Sequence, residues 1–554
     1  MIQNPVLSGF HPDPSIVRRG DDYYIATSTF EWFPGIAVHH SRDLKNWRLL
    51  THILTDEAAL DLRRLPSAKG IWAPCLSWCE ADGLFYAVYS LMHSMNARFF
   101  DVDNFLVSSP EITGPWSVPS YLNSVGFDPS LFHDSDGKKY VVSLEWEFRD
   151  GYKKPGVIVL QEWDCGSRSV IGYARRIWTG GTDRGCVEAP HLYKRNGKYY
   201  LMCAEGGTGY GHSVTMGRAE AVFGPYEKDP ANPILTSTPD FKGRDNDDFL
   251  KPDRYNPGSA LQKSGHGSLV ETRDGQWYLA HLCSRPFVPE LRCALGRETA
   301  LQKMYWTDDN WLRLEGGGNL AKVEVPEPGL REYTVPDFPA REDFDGQWNP
   351  HLVSPRTDWK AWAKTASRPG FLRMRGQQSL CSLDRVSLIA RRLTSLDAAF
   401  ACAVEFEPDT FQHSAGLALY YDNMNWVYLR IYTSDSLGGK TLALMRVENG
   451  EKTELSETRV RLGAGKRVFM KCRIRGRSTQ FYYSLDEGEA GVSGLSCIGG
   501  EGWSAIGPVW DTSLFSDEYC KFGEFTGTFA GICCTDTNTH TKYADFDWFE
   551  YRDL

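Results

Sequence analysis

Three carboxylic acids and a histidine stand at matching places of a sequence pattern that occurs five times in the first three-fifths of the chain. The matching positions are Asp13, Ala73, Asp128, Ala189, which Glu188 precedes, and His266. Carboxyl groups that lie close together disfavour each other's charged form, so one keeps its proton while another is ionised. Such a set can cleave a glycosidic bond, because one carboxyl protonates the leaving oxygen while another attacks the sugar or activates water.

The repeat itself predicts the element that would bring these residues together. Each copy has a short apolar run, a turn such as Asp82-Gly83 or Asn196-Gly197, and a second apolar run with aromatic residues, which is the pattern of a β-hairpin. The matching positions are 60, 55, 61 and 77 residues apart, which suits a four-stranded sheet with its loops. We therefore predict a five-bladed β-propeller over residues 1–325, with the starts of the innermost strands at one end of the central channel.

A segment rich in proline and charge follows the repeats. This segment, residues 326–340, is predicted to be a linker. Residues 341–554 contain alternating strands separated by Gly, Asn and Asp turns, which predicts a β-sandwich. The chain is therefore predicted to be all-β, and the best candidate for a helix is the short stretch from Asp56 to Arg64.

Composition and charge argue against several classes of partner. The formal net charge is −10 without a basic run, which argues against nucleic acid and anionic membranes, and no apolar run is long enough for a membrane span. The 14 cysteines are scattered without a CxxC pair and no signal peptide precedes the first repeat, so we expect reduced thiols and a cytoplasmic protein. Aromatic residues make up 13%, which suits sugar binding but equally suits strands.

Seven fragments of the sequence together resemble glycoside hydrolase family forty-three, and more closely its two-domain β-xylosidases. They are Gly9–Ser15, Thr27–Gly35, Gly70–Pro74, Gly126–Leu131, Glu188–His191, Ala204–Thr208 and Gly296–Thr299. The resemblance covers the whole chain, because those enzymes also carry a β-sandwich, of the concanavalin type, after the propeller. It implies an inverting hydrolase that works by a single displacement.

The resemblance also implies roles for individual residues. Asp13 would be the general base that activates water, Glu188 the general acid, and Asp128 the residue that raises the pKa of Glu188 and orients it. Arg297 would bind sugar hydroxyls through its fork of donors. His266 would position Arg297 or a bound water. A surface ion pair for Arg297 and a purely structural role for His266 are the alternatives.

A closed pocket is implied as well. The subsite for the non-reducing sugar would be lined by Phe30, Trp72, Phe127, Trp146 and Thr208. A loop of the sandwich, Phe522 to Gly527, would reach into the propeller mouth with Phe525 at its tip. Because such a pocket admits only a chain end, the enzyme would act in exo fashion.

Two features depart from the family pattern. Cys75 stands where an aspartate is expected, so a polar support of the second blade is lost or replaced. The long acidic stretch 243–257 would be a solvated surface loop or, alternatively, would alter which leaving groups are accepted. No cofactor is expected to be required, although some relatives hold calcium in the channel near the equivalent of His266. A homo-oligomer is expected from the resemblance alone.

The expected activity is that of an exo-acting β-xylosidase on β-1,4-xylo-oligosaccharides. An α-L-arabinofuranosidase, or an enzyme with both activities, is the near alternative, since the two sugars present similar hydroxyl patterns to a shallow pocket. A propeller that binds sugars without hydrolysing them is the remote alternative. The intact set of Asp13, Asp128 and Glu188 argues against it, because sugar binding alone does not require the acid at position 188.

Overall fold

The structure, a computed structural model, describes residues 1–152, 156–240, 250, 252–463, 465, 467–485, 502–521 and 525–554. Most of the acidic stretch 243–257 and the first residues of the sandwich loop, 522–524, lie outside these ranges. The described residues form strands and four short 3-10 helices, Pro252–Arg254, Trp359–Ala361, Ser456–Thr458 and Thr512–Leu514. None of the described helices is long and apolar enough to cross a membrane.

The helix predicted from Asp56 to Arg64 is wrong. This stretch forms turns, in which the Asp56 carboxylate accepts a hydrogen bond from Ala58 N at 2.9 Å and the Asp61 carboxylate accepts one from Arg63 N at 3.0 Å. Aspartate side chains that bond to nearby backbone amides offer the chain an alternative to helical hydrogen bonds. The local polar pattern therefore favours successive turns.

Five antiparallel sheets form a propeller, each built from consecutive strands. Blade 1 contains Ser15–Arg19, Asp22–Thr27, Gly35–Ser41 and Arg48–Leu54; blade 2 contains Gly70–Cys79, Leu84–Asn96, Phe99–Ser109 and Ser120–Asn123; blade 3 contains Ser130–His133, Lys139–Glu145, Val157–Asp164 and Ser169–Trp178. Blade 4 contains Glu188–Arg195, Lys198–Glu205, Ser213–Ala219, Glu227–Lys228 and Leu235–Thr236; blade 5 contains Gln262–Glu271, Trp277–Ser284, Glu298–Trp306 and Leu312–Leu314. The first strand of each blade contacts the first strands of both neighbouring blades, which closes the ring.

Pairing between the two ends of the propeller secures this closure. Ile2–Gln3 pairs antiparallel with Glu324–Val325, and Leu7 bridges Thr299 in blade 5. The chain therefore leaves the propeller close to where it entered. It continues without strands through residues 326–340.

Two sheets packed face to face follow. One has the strand order Ala363–Lys364, Leu372–Arg375, Tyr543–Asp553, Asp397–Glu405, Val468–Arg475, Ser478–Ser484 and Ser504–Asp511, with Arg341–Glu342 beside Tyr543–Asp553. The other has the order Ser387–Arg392, Phe529–Asp536, His413–Asp422, Asn425–Ser434, Gly439–Glu448 and Glu451–Glu454, with Val460–Arg461 beside Gly439–Glu448. Alternating apolar residues of both sheets form one buried core.

The second of these sheets is docked on the propeller through a shared apolar core. Trp32 of the propeller stacks on Phe529 of the sandwich with ring centroids 3.7 Å apart. A two-residue ladder joins Trp32–Phe33 to Ser354–Pro355. The buried Arg392 donates from Nε to the Phe10 carbonyl at 2.8 Å. The sandwich therefore contacts the propeller beside the fragments Gly9–Ser15 and Thr27–Gly35.

Candidate active site

All five matching positions of the repeat adopt a left-handed backbone. The φ angles are 56° at Asp13, 41° at Ala73, 54° at Asp128, 50° at Ala189 and 50° at His266. In blades 2, 4 and 5 the ladder register shifts at the same place, as in a β-bulge, which bends a strand and re-aims its side chains. Ala73 and Ala189 share this strained backbone conformation with Asp13, Asp128 and His266. The strain therefore comes from the blade backbone and does not require an acidic side chain.

The turned strand starts surround a cavity of about 410 Å³, within the range of small-molecule sites of about 300–1,000 Å³. Its lining contains all eleven residues expected from the sequence: Asp13, Phe30, Trp72, Phe127, Asp128, Trp146, Glu188, Thr208, His266, Arg297 and Phe525. A cavity of 470 Å³ lies at the far end of the innermost strands of blades 1 and 5. The lining of this larger cavity does not contain Asp13, Asp128 or Glu188. The proposed acid–base chemistry therefore belongs to the cavity of about 410 Å³.

The Asp13 carboxylate is buried and held on both oxygens. Oδ2 accepts from the Ser28 hydroxyl at 2.7 Å, and Ser28 in turn accepts from Ala73 N at 2.7 Å. Oδ1 accepts from an Arg297 guanidinium nitrogen at 3.1 Å. Hydrogen bonds to both oxygens hold a carboxyl group in one orientation. Asp13 is therefore fixed in position and equipped to act as a base.

His266 lies beside Asp13, on the side of Oδ1. Its Nδ1 is 3.7 Å from that oxygen, which is beyond a hydrogen bond. Burial lowers the pKa of His266, with Asp13 opposing and Arg297 reinforcing this shift. The imidazole is therefore neutral near pH 7 and contacts the base, whereas the sequence suggested a role in placing Arg297 or a water.

Asp128 and Glu188 form a coupled pair of acids in the cavity. Asp128 Oδ2 accepts from Ala189 N at 3.0 Å, which ties this carboxyl to the residue after Glu188. Burial raises the pKa of Asp128 well above its usual range, and the charges of Glu188 and Asp13 raise it further. Because this repulsion is mutual, the pair holds a proton at pH values where isolated carboxyls are ionised. The cavity thus combines a proton-bearing pair with a hydrogen-bonded carboxylate.

Arg297 connects the propeller and sandwich sides of the cavity. One terminal nitrogen donates to Asp13 and, at 3.0 Å, to the Thr208 hydroxyl, and the other donates to the Phe525 carbonyl at 3.3 Å. The guanidinium carbon lies 5.6 Å from the Phe30 ring centroid and 5.3 Å from that of Phe525. Its Nε is buried and bonds to none of the described residues. Arg297 is thus an interior residue and not a surface ion-pair partner.

Aromatic rings in mutual contact form the wall of the cavity. Trp72 lies 5.8 Å from both Phe30 and Phe127 between ring centroids, and 6.3 Å from Phe525. Trp146 lies 5.8 Å from Phe127. The four predicted propeller aromatics therefore form one continuous apolar surface, a suitable wall for a flat neutral ligand.

Phe525 is the sandwich residue in this wall, and the residues after it are fitted closely to the propeller. Phe525 has φ 70°, and the preceding residues 522–524 lie outside the described ranges. A Cβ at Gly296, next to Arg297, would lie 2.5 Å from the Thr526 carbonyl oxygen. Glycine at this position, with φ 75°, therefore lets the two domains approach at the cavity.

Six lining residues were not expected from the sequence: Met95, Arg98, Phe100, Cys186, Gly207 and His212. The first three belong to the hairpin formed by Leu84–Asn96 and Phe99–Ser109. Its strands of 13 and 11 residues are longer than those of the other blades, so the hairpin reaches the cavity. The unusual length of these two strands was the feature from which their contribution to the cavity could have been predicted.

The side chains near His266 do not suit calcium. Calcium takes about six to eight oxygen ligands. His191, whose pKa is affected by His266, has its Nδ1 3.9 Å from Cys75 Sγ, and burial lowers its pKa to about 3. Within the described ranges no three His, Cys, Asp or Glu side chains are placed to hold a metal ion. A thiol facing a neutral imidazole thus replaces the polar support expected at position 75.

Comparison with known proteins agrees with this arrangement. Residues 2–312 match the family described as Glycosyl hydrolases family 43, and residues 341–552 match the Beta xylosidase C-terminal Concanavalin A-like domain. The chain is 42% identical to a Xylosidase/arabinosidase 43B of Humicola insolens, covering 100% of this chain and 97% of that one. It is 39% identical to a Beta-xylosidase of Bacillus subtilis, covering 100% and 99%.

A solved structure extends the likeness to three dimensions. The crystal structure of xylan beta-1,4-xylosidase from Bacillus halodurans superposes over 100% of both chains, with a TM-score of 0.91 and 44% identity. The predicted all-β fold, a five-bladed propeller followed by a concanavalin-like sandwich, is confirmed. The family matches, the relatives and the acid-lined cavity lead to one conclusion: this chain belongs to glycosyl hydrolases family 43 and is a glycoside hydrolase.

Proposed function

We propose that the protein is an exo-acting β-xylosidase that releases D-xylose from the non-reducing ends of short β-1,4-xylo-oligosaccharides with inversion. The observation that carries this proposal is the single cavity in which Asp13, Asp128 and Glu188 face an aromatic wall completed by Phe525. The names of the similar proteins from Bacillus halodurans and Bacillus subtilis support xylose as the sugar.

Asp13 is proposed as the general base. Its carboxylate removes a proton from a water molecule while the water oxygen attacks the anomeric carbon from the face opposite the leaving group. Ser28 and Arg297 hold this carboxylate in one orientation, so its basic oxygen is fixed before the substrate arrives. An inverting site holds base and acid about 6.5–9.5 Å apart to leave room for this water.

Glu188 is proposed as the general acid. As the glycosidic C–O bond breaks, the departing oxygen takes the proton of the Asp128–Glu188 pair from Glu188. Asp128 supports this because repulsion between its carboxyl group and Glu188 keeps a proton on the pair, and because it holds the backbone next to Glu188 through Ala189 N. The products are one xylose of inverted configuration and a shortened chain; Asp13 then releases its proton to solvent, and solvent reprotonates the pair.

The remaining lining residues are proposed to recognise a neutral pentose. Arg297 and Thr208 line the cavity and would bind sugar hydroxyls, while Trp72 and its aromatic neighbours cover the apolar face of the ring. Phe525 closes the side next to the sandwich, so only a chain end enters.

The thirteen free thiols among the described residues support a reducing, cytoplasmic location. We expect a homo-oligomer, which light scattering would test.

The substrate and stereochemistry can be tested together. Nitrophenyl β-D-xyloside and nitrophenyl α-L-arabinofuranoside should be assayed side by side, and proton NMR should record the first anomer released from xylobiose. We expect a higher kcat/KM on the xyloside and α-xylose as the first product. A much higher kcat/KM on the arabinofuranoside would instead favour the second candidate, arabinofuranosidase activity, which the Humicola insolens relative's name supports.

A matched variant separates catalysis from mere sugar binding. Glu188→Gln keeps the shape of the side chain but cannot donate the acid proton. We expect kcat to fall about 10²–10⁴-fold on xylobiose and much less on an activated nitrophenyl xyloside, whose leaving group needs no protonation. Equal losses on both substrates would remove Glu188 from the acid role. If the substitution does not change turnover, catalysis does not depend on Glu188 and the proposed active site is wrong.

A further inference from the structure

Two large apolar side chains lie exposed and in contact just outside the catalytic cavity. Phe99 is 51% exposed and Phe148 is 49% exposed, and their ring centroids are 4.8 Å apart with an interplanar angle of 31°. Contiguous exposed apolar surface next to a cavity commonly marks a binding surface. These two rings, here called the Phe99–Phe148 platform, come from blades 2 and 3.

The platform residues lie next in sequence to residues of the aromatic wall of the cavity. Phe100 and Trp146, close neighbours of the platform residues in sequence, line the cavity and stack with centroids 4.2 Å apart and an interplanar angle of 17°. Phe100 also stacks on Phe127 at 5.3 Å. Adjacent residues of a strand point to opposite faces. Phe100 therefore faces the cavity, while its neighbour Phe99 faces solvent on the other side of the strand, next to the cavity rim.

Hydrogen bonds fix the two segments to one another. Trp146 Nε1 donates to the Arg98 carbonyl at 2.9 Å, and an Arg98 guanidinium nitrogen lies 3.4 Å from the carbonyls of both Glu147 and Tyr152. The Arg149 guanidinium carbon lies 4.5 Å from the Tyr152 ring centroid. Blades 2 and 3 thus hold the platform in a fixed position relative to the cavity.

We propose that the Phe99–Phe148 platform is a distal subsite that binds the sugars of the leaving group beyond the one next to the scissile bond. This inference rests on the proposed function. The terminal sugar occupies the cavity over the acids and the sandwich closes one side, so the rest of the chain leaves through the mouth, past Trp146 and the platform. The ligand is an uncharged oligosaccharide whose apolar C–H faces cover the two rings, whereas an aryl glycoside does not extend so far.

The test is the dependence of kcat/KM on chain length. In the full-length protein we expect kcat/KM to rise from xylobiose to xylotetraose. In the double variant Phe99→Ala/Phe148→Ala the ratio of these two values should fall about tenfold, the effect of losing an aromatic contact. The variant Phe99→Tyr/Phe148→Tyr, which keeps the ring faces, should retain the ratio. Phe411→Ala, at a 63% exposed phenylalanine of the sandwich, is the matched control and should leave the ratio unchanged.

The outcomes are distinct. An unaltered ratio in the alanine variant overturns the platform and leaves the proposed function intact. A change of oligomeric state in light scattering, without a change of the ratio, assigns the rings to a contact between protein copies and also overturns the platform. Inactivity of the unsubstituted protein on every xyloside overturns the proposed function and the platform with it.

Discussion

The two sides of the catalytic cavity differ in how they are built. On the propeller side, Asp13, Asp128 and His266 occupy the same left-handed position of three repeats, and the backbone of each blade start fixes their direction. On the sandwich side, Phe525 belongs to no repeat and depends on long-range contacts for its position. The comparison suggests that the repeated side carries chemistry common to all substrates, whereas the added side decides which substrates enter.

The contacts that hold the sandwich side converge on Glu518. Its Oε1 accepts from Lys263 Nζ at 2.6 Å and its Oε2 from Cys293 N at 2.9 Å, both in blade 5 or the loop leading to Arg297. Both charged side chains are nearly inaccessible, 1% for Lys263 and 8% for Glu518. Burial opposes the charge of Lys263, but the surrounding anionic groups, Glu518 among them, raise its pKa. Glu518 thus links its segment of the sandwich to the first strand of blade 5 through an ion pair and to the Arg297 loop through a backbone hydrogen bond.

The largest effect is expected on the propeller side, at the base. Asp13→Asn keeps the contacts of one oxygen but cannot accept a proton from water. We expect kcat to fall by about 10³-fold or more on oligosaccharides and aryl xylosides alike, within the range of general acid–base contributions. Steady-state kinetics on both substrates measures this. A loss of kcat on only one of these substrate classes would contradict the comparison between the two sides of the cavity, because Asp13 would then act selectively on substrates.

Asp128→Asn should change the pH profile as well as the rate. A like charge raises the pKa of a neighbouring carboxyl, so removing it lets the proton of the acid pair dissociate at lower pH. The alkaline limb of kcat/KM should move to lower pH, so that activity measured on that limb falls about tenfold or more. Asp134→Asn is the control, since Asp134 bonds to Lys194 and Tyr199 outside the cavity. An unmoved limb in Asp128→Asn would exclude the coupling.

The same difference between the two sides explains what the sequence could predict. The propeller residues were predictable because a strand, a tight turn and a strand recur with local spacing, which locates Asp13 and Asp128 without knowledge of contacts. Lys263 and Glu518 are 255 residues apart, and no local pattern marks them as partners. Phe100 was not predicted for a related reason: its place in the cavity depends on how far one hairpin extends beyond its blade. Tertiary packing decides such contacts.

Breaking the buried ion pair should affect stability and substrate binding together. Lys263→Met leaves the Glu518 carboxylate buried without its cation, a change that typically costs about 3–5 kcal/mol. We expect a lower melting temperature and a KM raised more than kcat is lowered. Arg313→Met is the matched control, because Arg313 pairs with the buried Asp229 at 2.6 and 2.9 Å away from the cavity. A rise in KM in the control as well would show general destabilisation and not positioning.

The smallest effect is expected for Phe525→Ala, and its selectivity is the sharper test of the comparison. The ring contacts Trp72 and Arg297, so its removal should leave the acids and proton transfer in place. KM should rise about tenfold, the value of one lost aromatic contact, with kcat changed less. Because the cavity is then open on the sandwich side, xylo-oligosaccharides bearing a substituent on the terminal sugar should gain relative to unsubstituted ones. A uniform fall in kcat on every substrate would instead place Phe525 with the propeller residues, as part of the catalytic geometry.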